Sequence, residues 1–73
     1  MRFVAEIIDL DPPFVMVEGT FYLKRGHTAL FRSDTYPTWV SAVKSIEDFA
    51  QHNNLDLEWS GIDVSKIKSG EIR

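Results

Sequence analysis

Residues 2–24 read RFVAEIIDLDPPFVMVEGTFYLK, and the reading of this stretch decides the fold. Both halves are rich in β-branched and aromatic residues, the types that fit a pleated, half-buried surface. Between them stands Asp11-Pro12-Pro13, which stops either kind of regular element because proline lacks an N–H and fixes φ. The pattern therefore predicts two strands, over 2–10 and 14–24. In the first, Phe3, Ala5 and Ile7 fall on one side, with Val4, Glu6, Ile8 and Leu10 on the other. In the second, Val15, Val17, Phe21 and Leu23 share one face; Phe14, Met16, Glu18, Thr20 and Tyr22 share the opposite one. Gly19, in the middle of that strand, predicts a bulge or a close backbone approach.

Beyond these strands, Lys24-Arg25-Gly26-His27 reads as a turn, with Gly26 supplying a positive φ. Residues 28–32 (TALFR) return as a third strand. A two-residue loop would face Leu30 with Phe21, and a three-residue loop would face Ala29 with Phe21. Ser33-Asp34-Thr35-Tyr36-Pro37 offers a capping side chain and a proline for the first turn of a helix. At 100° per residue, Tyr36, Trp39, Ala42, Val43, Ile46, Phe49 and Ala50 lie together. Lys44, Asp48, Gln51 and His52 lie opposite, which predicts an amphipathic helix of about 17 residues ended by Asn53-Asn54. Residues 55–60 (LDLEWS) alternate strictly and predict a further strand. The expected fold is α+β, in the order β-β-β-α-β: a small antiparallel sheet with one amphipathic helix packed on one face. It is read as a single domain over 1–62, followed by a C-terminal tail over 63–73 that is free to be flexible.

Seventy-three residues hold one core and no two-lobed cleft. The absence of cysteine excludes a disulfide scaffold, a thiolate zinc site, an Fe–S cluster and a cysteine nucleophile. At 44% hydrophobic the chain is too apolar for disorder. Its longest apolar runs fall short of a membrane span, and it does not open with a signal-peptide pattern, so a cytoplasmic domain is expected. The net charge of −3 is unevenly spread. Lys24, Arg25 and Arg32 form a basic segment without acids, and Lys66, Lys68 and Arg73 make the tail basic, while residues 1–23 and 33–63 are acidic. An acidic body is a poor non-specific binder of nucleic acid.

Catalytic chemistry finds little support. His27 stands beside a turn and His52 on the polar side of the helix, and their spacing does not match a metal set. Asp9 and Asp11 flank a turn, where aspartate is common, and Asp56 and Glu58 lie on an outward strand face. The four glycines are isolated, so no phosphate loop is present. Residues 25–32 begin like the central motif of RNA-recognition strands, but His27 and Ala29 stand where stacking aromatics belong. No enzymatic activity, metal or cofactor is expected.

The informative feature is a surplus of apolar side chains. One helix covers one face of a sheet, yet the first two strands are apolar on both. If Phe3 and its neighbours meet the helix, the other face presents Val4, Ile8, Leu10, Phe14, Met16 and Tyr22. Either the tail folds over them, or another protein or a second copy of the chain does, or they are scattered and unimportant. The candidate contact residues are Arg2, Phe14, Met16, Tyr22 and Arg25. Trp39 and Trp59 are assigned to the core. In length, lack of cysteine, acidic balance and layout, the chain resembles the small phage-encoded proteins that bind host machines, among them RNA polymerase-binding proteins, anti-CRISPR proteins and nuclease blockers. The resemblance implies a protein-binding inhibitor or transcription regulator whose partner is a larger host machine such as RNA polymerase. The alternatives are a homodimeric interaction domain, or a weak nucleic-acid binder using Lys24, Arg25, Arg32, Lys66, Lys68 and Arg73.

Overall fold

A computed structural model of the chain describes residues 1–11 and 14–70; Pro12, Pro13 and the tail residues 71–73, with Ile72 and Arg73, lie outside them. The first half forms β1 (Arg2–Asp9), β2 (Val15–Tyr22) and β3 (Thr28–Arg32). Then come α1 (Trp39–His52), β4 (Asp56–Trp59) and α2 (Val64–Lys68). The strands lie in the order β3-β2-β1-β4. This is the expected α+β layout with the main helix on one face. One strand direction differs: β4 runs parallel to β1, so the sheet is mixed. A helix that crosses back over the sheet from β3 delivers the next strand in the direction of β3, which is that of β1.

Antiparallel pairing sets Phe3 beside Phe21, Ala5 beside Gly19 and Ile7 beside Val17. Across the next interface Gly19 meets Phe31 and Phe21 meets Ala29, the register of the three-residue loop. Phe31 therefore points to the helix side and Leu30 away from it. Arg25 (φ 62°) and Gly26 (φ 76°) both take left-handed backbone in that loop. Gly19 makes a close approach rather than a bulge. The Phe3 ring lies directly over it, so a Cβ there would clash with Phe3 Cε1 and stand 2.6 Å from Cζ. Phe3 stacks on Phe21 at 4.6 Å between ring centroids and meets Phe31 edge-on at 5.4 Å. Phe31 stacks on Phe49 of α1 at 5.2 Å. Phe3, Val17, Ala42, Val43 and Ile46 are fully buried around these rings.

The helix starts later than the periodicity predicts. Tyr36 donates its N–H to the Val15 carbonyl (2.7 Å) and accepts from the Val15 N–H (2.9 Å), so it belongs to the sheet. Pro37 favours this, because the residue before a proline is pushed to extended backbone. Thr38 then caps α1: its Oγ1 accepts the Ser41 N–H at 3.1 Å, and the Ser41 Oγ accepts the Thr38 N–H at 3.3 Å. At the other end Asn54 turns left-handed (φ 54°).

Residues 63–70 are not a loose tail. α2 packs against α1, with Ile67 fully buried and Lys68 Nζ 2.7 Å from Glu47 Oε2. Asp63 caps α2, its Oδ1 accepting the Ser65 N–H at 3.1 Å and the Ser65 Oγ–H at 2.6 Å. The Ser65 hydroxyl holds the Asp63 carboxyl below its ordinary range, and that cause outweighs the opposing desolvation.

Two expectations follow. Gly19→Ala forces its methyl into the Phe3 ring and should cost about 1–3 kcal/mol in urea unfolding; adding Phe3→Leu should recover part of that loss. Because the carboxyl of Asp63 is depressed in the folded chain, its contribution is present above the unfolded carboxylate pKa and is lost as pH falls through the folded one. The protection of the α2 amides, expressed relative to the intrinsic exchange rate at each pH, should then fall below about pH 4, and Asp63→Asn should remove that fall.

Candidate functional site

The face turned away from α1 is built from the even-numbered residues of the first three strands, because Phe3, Val17 and Phe31 occupy the other side. Its rows follow from the register. Thr28, Tyr22, Arg2 and Asp56 form one row, and Leu30, Thr20, Val4 and Glu58 the next. Arg32, Glu18 and Glu6 form a third, and Met16 and Ile8 a fourth.

Arg2 and Tyr22 stand in direct register, with the guanidinium carbon 5.0 Å from the ring centroid. Arg2 also donates to Glu58 Oε2 at 2.7 Å. That hydrogen bond, and after it the Glu58 charge, raises the guanidinium above its ordinary pKa. Tyr22 is 42% exposed. Phe14 is 49% exposed but precedes β2, a full strand length from Tyr22 at the far end. Arg25 sits at the exposed tip of the turn and is not part of the face. Met16 corrects the expectation of an open contact, because only 8% of it is accessible. Nor does α2 cover the open face, since it lies against α1. The expected apolar sheet surface is thus broken up. Met16 is withdrawn, Phe14 is remote, and a charged row crosses the centre.

That centre carries residues that alternation places on this face but that are not among the candidate contacts, together with Leu30, whose direction the sequence leaves open. Leu30 is 88% exposed, beside a shallow hollow of about 520 Å³ bordered by Val4, Thr20, Glu6, Glu18 and Arg32. Glu6 and Glu18 stand directly opposite each other on β1 and β2. Like charges so placed repel. Arg32 answers Glu18 from 3.0 Å, and among the described residues no ion pair engages Glu6. The hollow thus joins one projecting leucine to a glutamate in need of a cation. The three-residue loop would have revealed the outward Leu30; the Glu6–Glu18 apposition required the strand register.

The histidines are not assembled with other groups into a site. His52 Nδ1 lies 2.8 Å from the Asp48 carbonyl, to which it donates, and His27 stays on the turn. Among the described residues no cluster of His, Asp or Glu is placed to hold a metal ion, and no helix is long and apolar enough to cross a membrane. Trp39 donates from Nε1 to Asp9 Oδ1 at 2.9 Å, while the buried Trp59 Nε1 has no partner among the described residues. No protein-family model matches the chain, and no curated protein or solved structure matches it.

Leu30 and Met16 should separate surface from core in one experiment. Leu30→Ser is expected to change unfolding stability by less than about 0.5 kcal/mol. Met16→Asp buries an unpaired charge and should cost about 3 kcal/mol or more, read as loss of the cooperative thermal transition.

Proposed function

We propose that the chain is a non-enzymatic protein-binding module that docks its open sheet face on a basic surface of a larger protein in the cytoplasm. The observation that carries this reading is the hollow beside Leu30, where Glu6 faces Glu18 and, among the described residues, only Glu18 of the two has a cation. A lysine or arginine of a partner entering between the two glutamates relieves their repulsion. Leu30, whose surface is otherwise in water, then gains burial. Acidic charge on the chain speeds such an encounter more than it tightens the final complex. Arg2 and Tyr22, already packed together, form one rim of the docking surface. The similarity in size and layout to small phage-encoded inhibitors makes a host machine such as RNA polymerase the first partner to try. Nucleic-acid binding is less well supported, because Arg32 and Lys68 are committed to Glu18 and Glu47.

Purified host RNA polymerase, and proteins retained from host cytosol and identified by mass spectrometry, supply the test. Glu6→Lys should weaken capture of the same partner by about tenfold or more, chiefly through a slower on-rate that loses its salt dependence. Lys44→Glu, on the exposed side of α1, should leave capture intact. Unchanged binding by Glu6→Lys would remove the open face from the interaction.

A further inference from the structure

The outer edge of β3 is a row of backbone groups at the end of the sheet, beside the face that carries the Leu30 side chain. In β2–β3 pairing, Leu23 donates its N–H to the His27 carbonyl at 2.9 Å, and Ser33 donates to the Val17 carbonyl at 2.9 Å. Antiparallel strands alternate between residues bonded to the neighbour and residues whose backbone groups point away. Ala29 and Phe31 are therefore bonded to β2, and the N–H and C=O groups of Thr28, Leu30 and Arg32 point outward. β3 is the end strand of the sheet, so among the described residues these groups have no strand partner. Natural edges are usually guarded by proline, a bulge or an unpaired charge. β3 has no proline, its pairing is continuous over Thr28–Arg32, and its one cation is tied to Glu18. α1 makes its main sheet contacts with β2 and β4, which leaves the flank of β3 open.

We infer that β3 pairs with β3 of a second copy of this chain, antiparallel about a two-fold axis at Leu30, to give one continuous sheet. The sequence is self-complementary in this register. Leu30 meets Leu30, and Thr28 meets Arg32 of the second copy, so every outward-pointing group finds a partner. Small Ala29 lies opposite bulky Phe31 on the helix side, which avoids a clash of two rings. Cations do not face cations anywhere in the paired strands. The pairing uses backbone groups of the edge and does not depend on the docking of a foreign partner to the face.

Sedimentation across concentration, combined with amide exchange, tests the inference. The 8.4 kDa chain should pass from monomer to dimer as concentration rises. In the dimer the Leu30 amide should exchange at least about tenfold more slowly, while Ala29 and Phe31, already bonded to β2, should not change. Thr28→Pro removes an outward N–H at the start of β3, and His27 already has the extended backbone (φ −74°, ψ 152°) that a following proline requires. It should stay monomeric with its thermal transition retained. Leu30→Lys, a change at an exposed position, places two like-charged side chains directly opposite each other across the axis, on Cα atoms about 5.5 Å apart, and should also stay monomeric. A wild-type chain that is monomeric up to about 1 mM overturns the inference. So does a dimer in which the Leu30 amide is not slowed, or one that survives both substitutions. Thr28→Pro leaves the Glu6 hollow unchanged, so a monomeric variant that still captures a partner separates this surface from the proposed docking face.

Discussion

The ring of Phe3 resting on the bare backbone of Gly19 is the contact on which the other parts of the fold depend. Gly19 sits where three strands pass side by side, between Ala5 and Phe31. Any side chain there would occupy the space the ring needs. With the space free, Phe3 stacks on Phe21 and meets Phe31, and Phe31 stacks on Phe49, which ties α1 to the sheet. Aromatic pairs of this kind contribute about 0.5–1.5 kcal/mol each beyond the area they bury. Their larger effect is to fix parity: once Phe3, Phe21 and Phe31 share the helix side, Glu6, Glu18 and Leu30 must share the other.

A single helical layer leaves the rest of the sheet to find its own solution. α2 does not cross to the open face. It joins α1 through Ile67 and the Lys68–Glu47 pair, and so thickens the layer already present. The open face is instead kept in water by its charges, with Arg2 held by Glu58 and Arg32 held by Glu18. These exposed pairs add little to stability, about 0–1 kcal/mol each. What they do is distribute charge, leaving Glu6 beside an exposed leucine. Covering that leucine would remove its apolar surface from water.

The amphipathic stripe Trp39, Ala42, Val43, Ile46 and Phe49 was legible because helical periodicity depends only on local spacing, and so were the bounds of β3. Tyr36 was not, since it fits the same stripe. Its backbone is drawn instead to Val15, the one residue of β2 beyond the reach of β3 that still needs hydrogen bonds. Met16 misleads for a related reason. Alternation assigns it to the outward face, but alternation reports a direction and not whether something covers that direction. Of the candidate contacts, Arg2 and Tyr22 are joined by the strand register. Phe14 and Arg25 were grouped with them only because the sequence shows no distance.

By itself, the sequence left Gly19 as either a bulge or a close approach and did not show α2; it determined the four strands, the main helix and its buried stripe. Those are consequences of proline placement, two- and 3.6-residue periods and side-chain size, all of which act over a few residues. Tertiary structure decided that β4 lies parallel to β1, that Leu30 points outward, and that Glu6 confronts Glu18. Each depends on which residue stands opposite which across a strand interface. That is set by the packing of the phenylalanine rings and the geometry of one loop, and a linear pattern does not contain it.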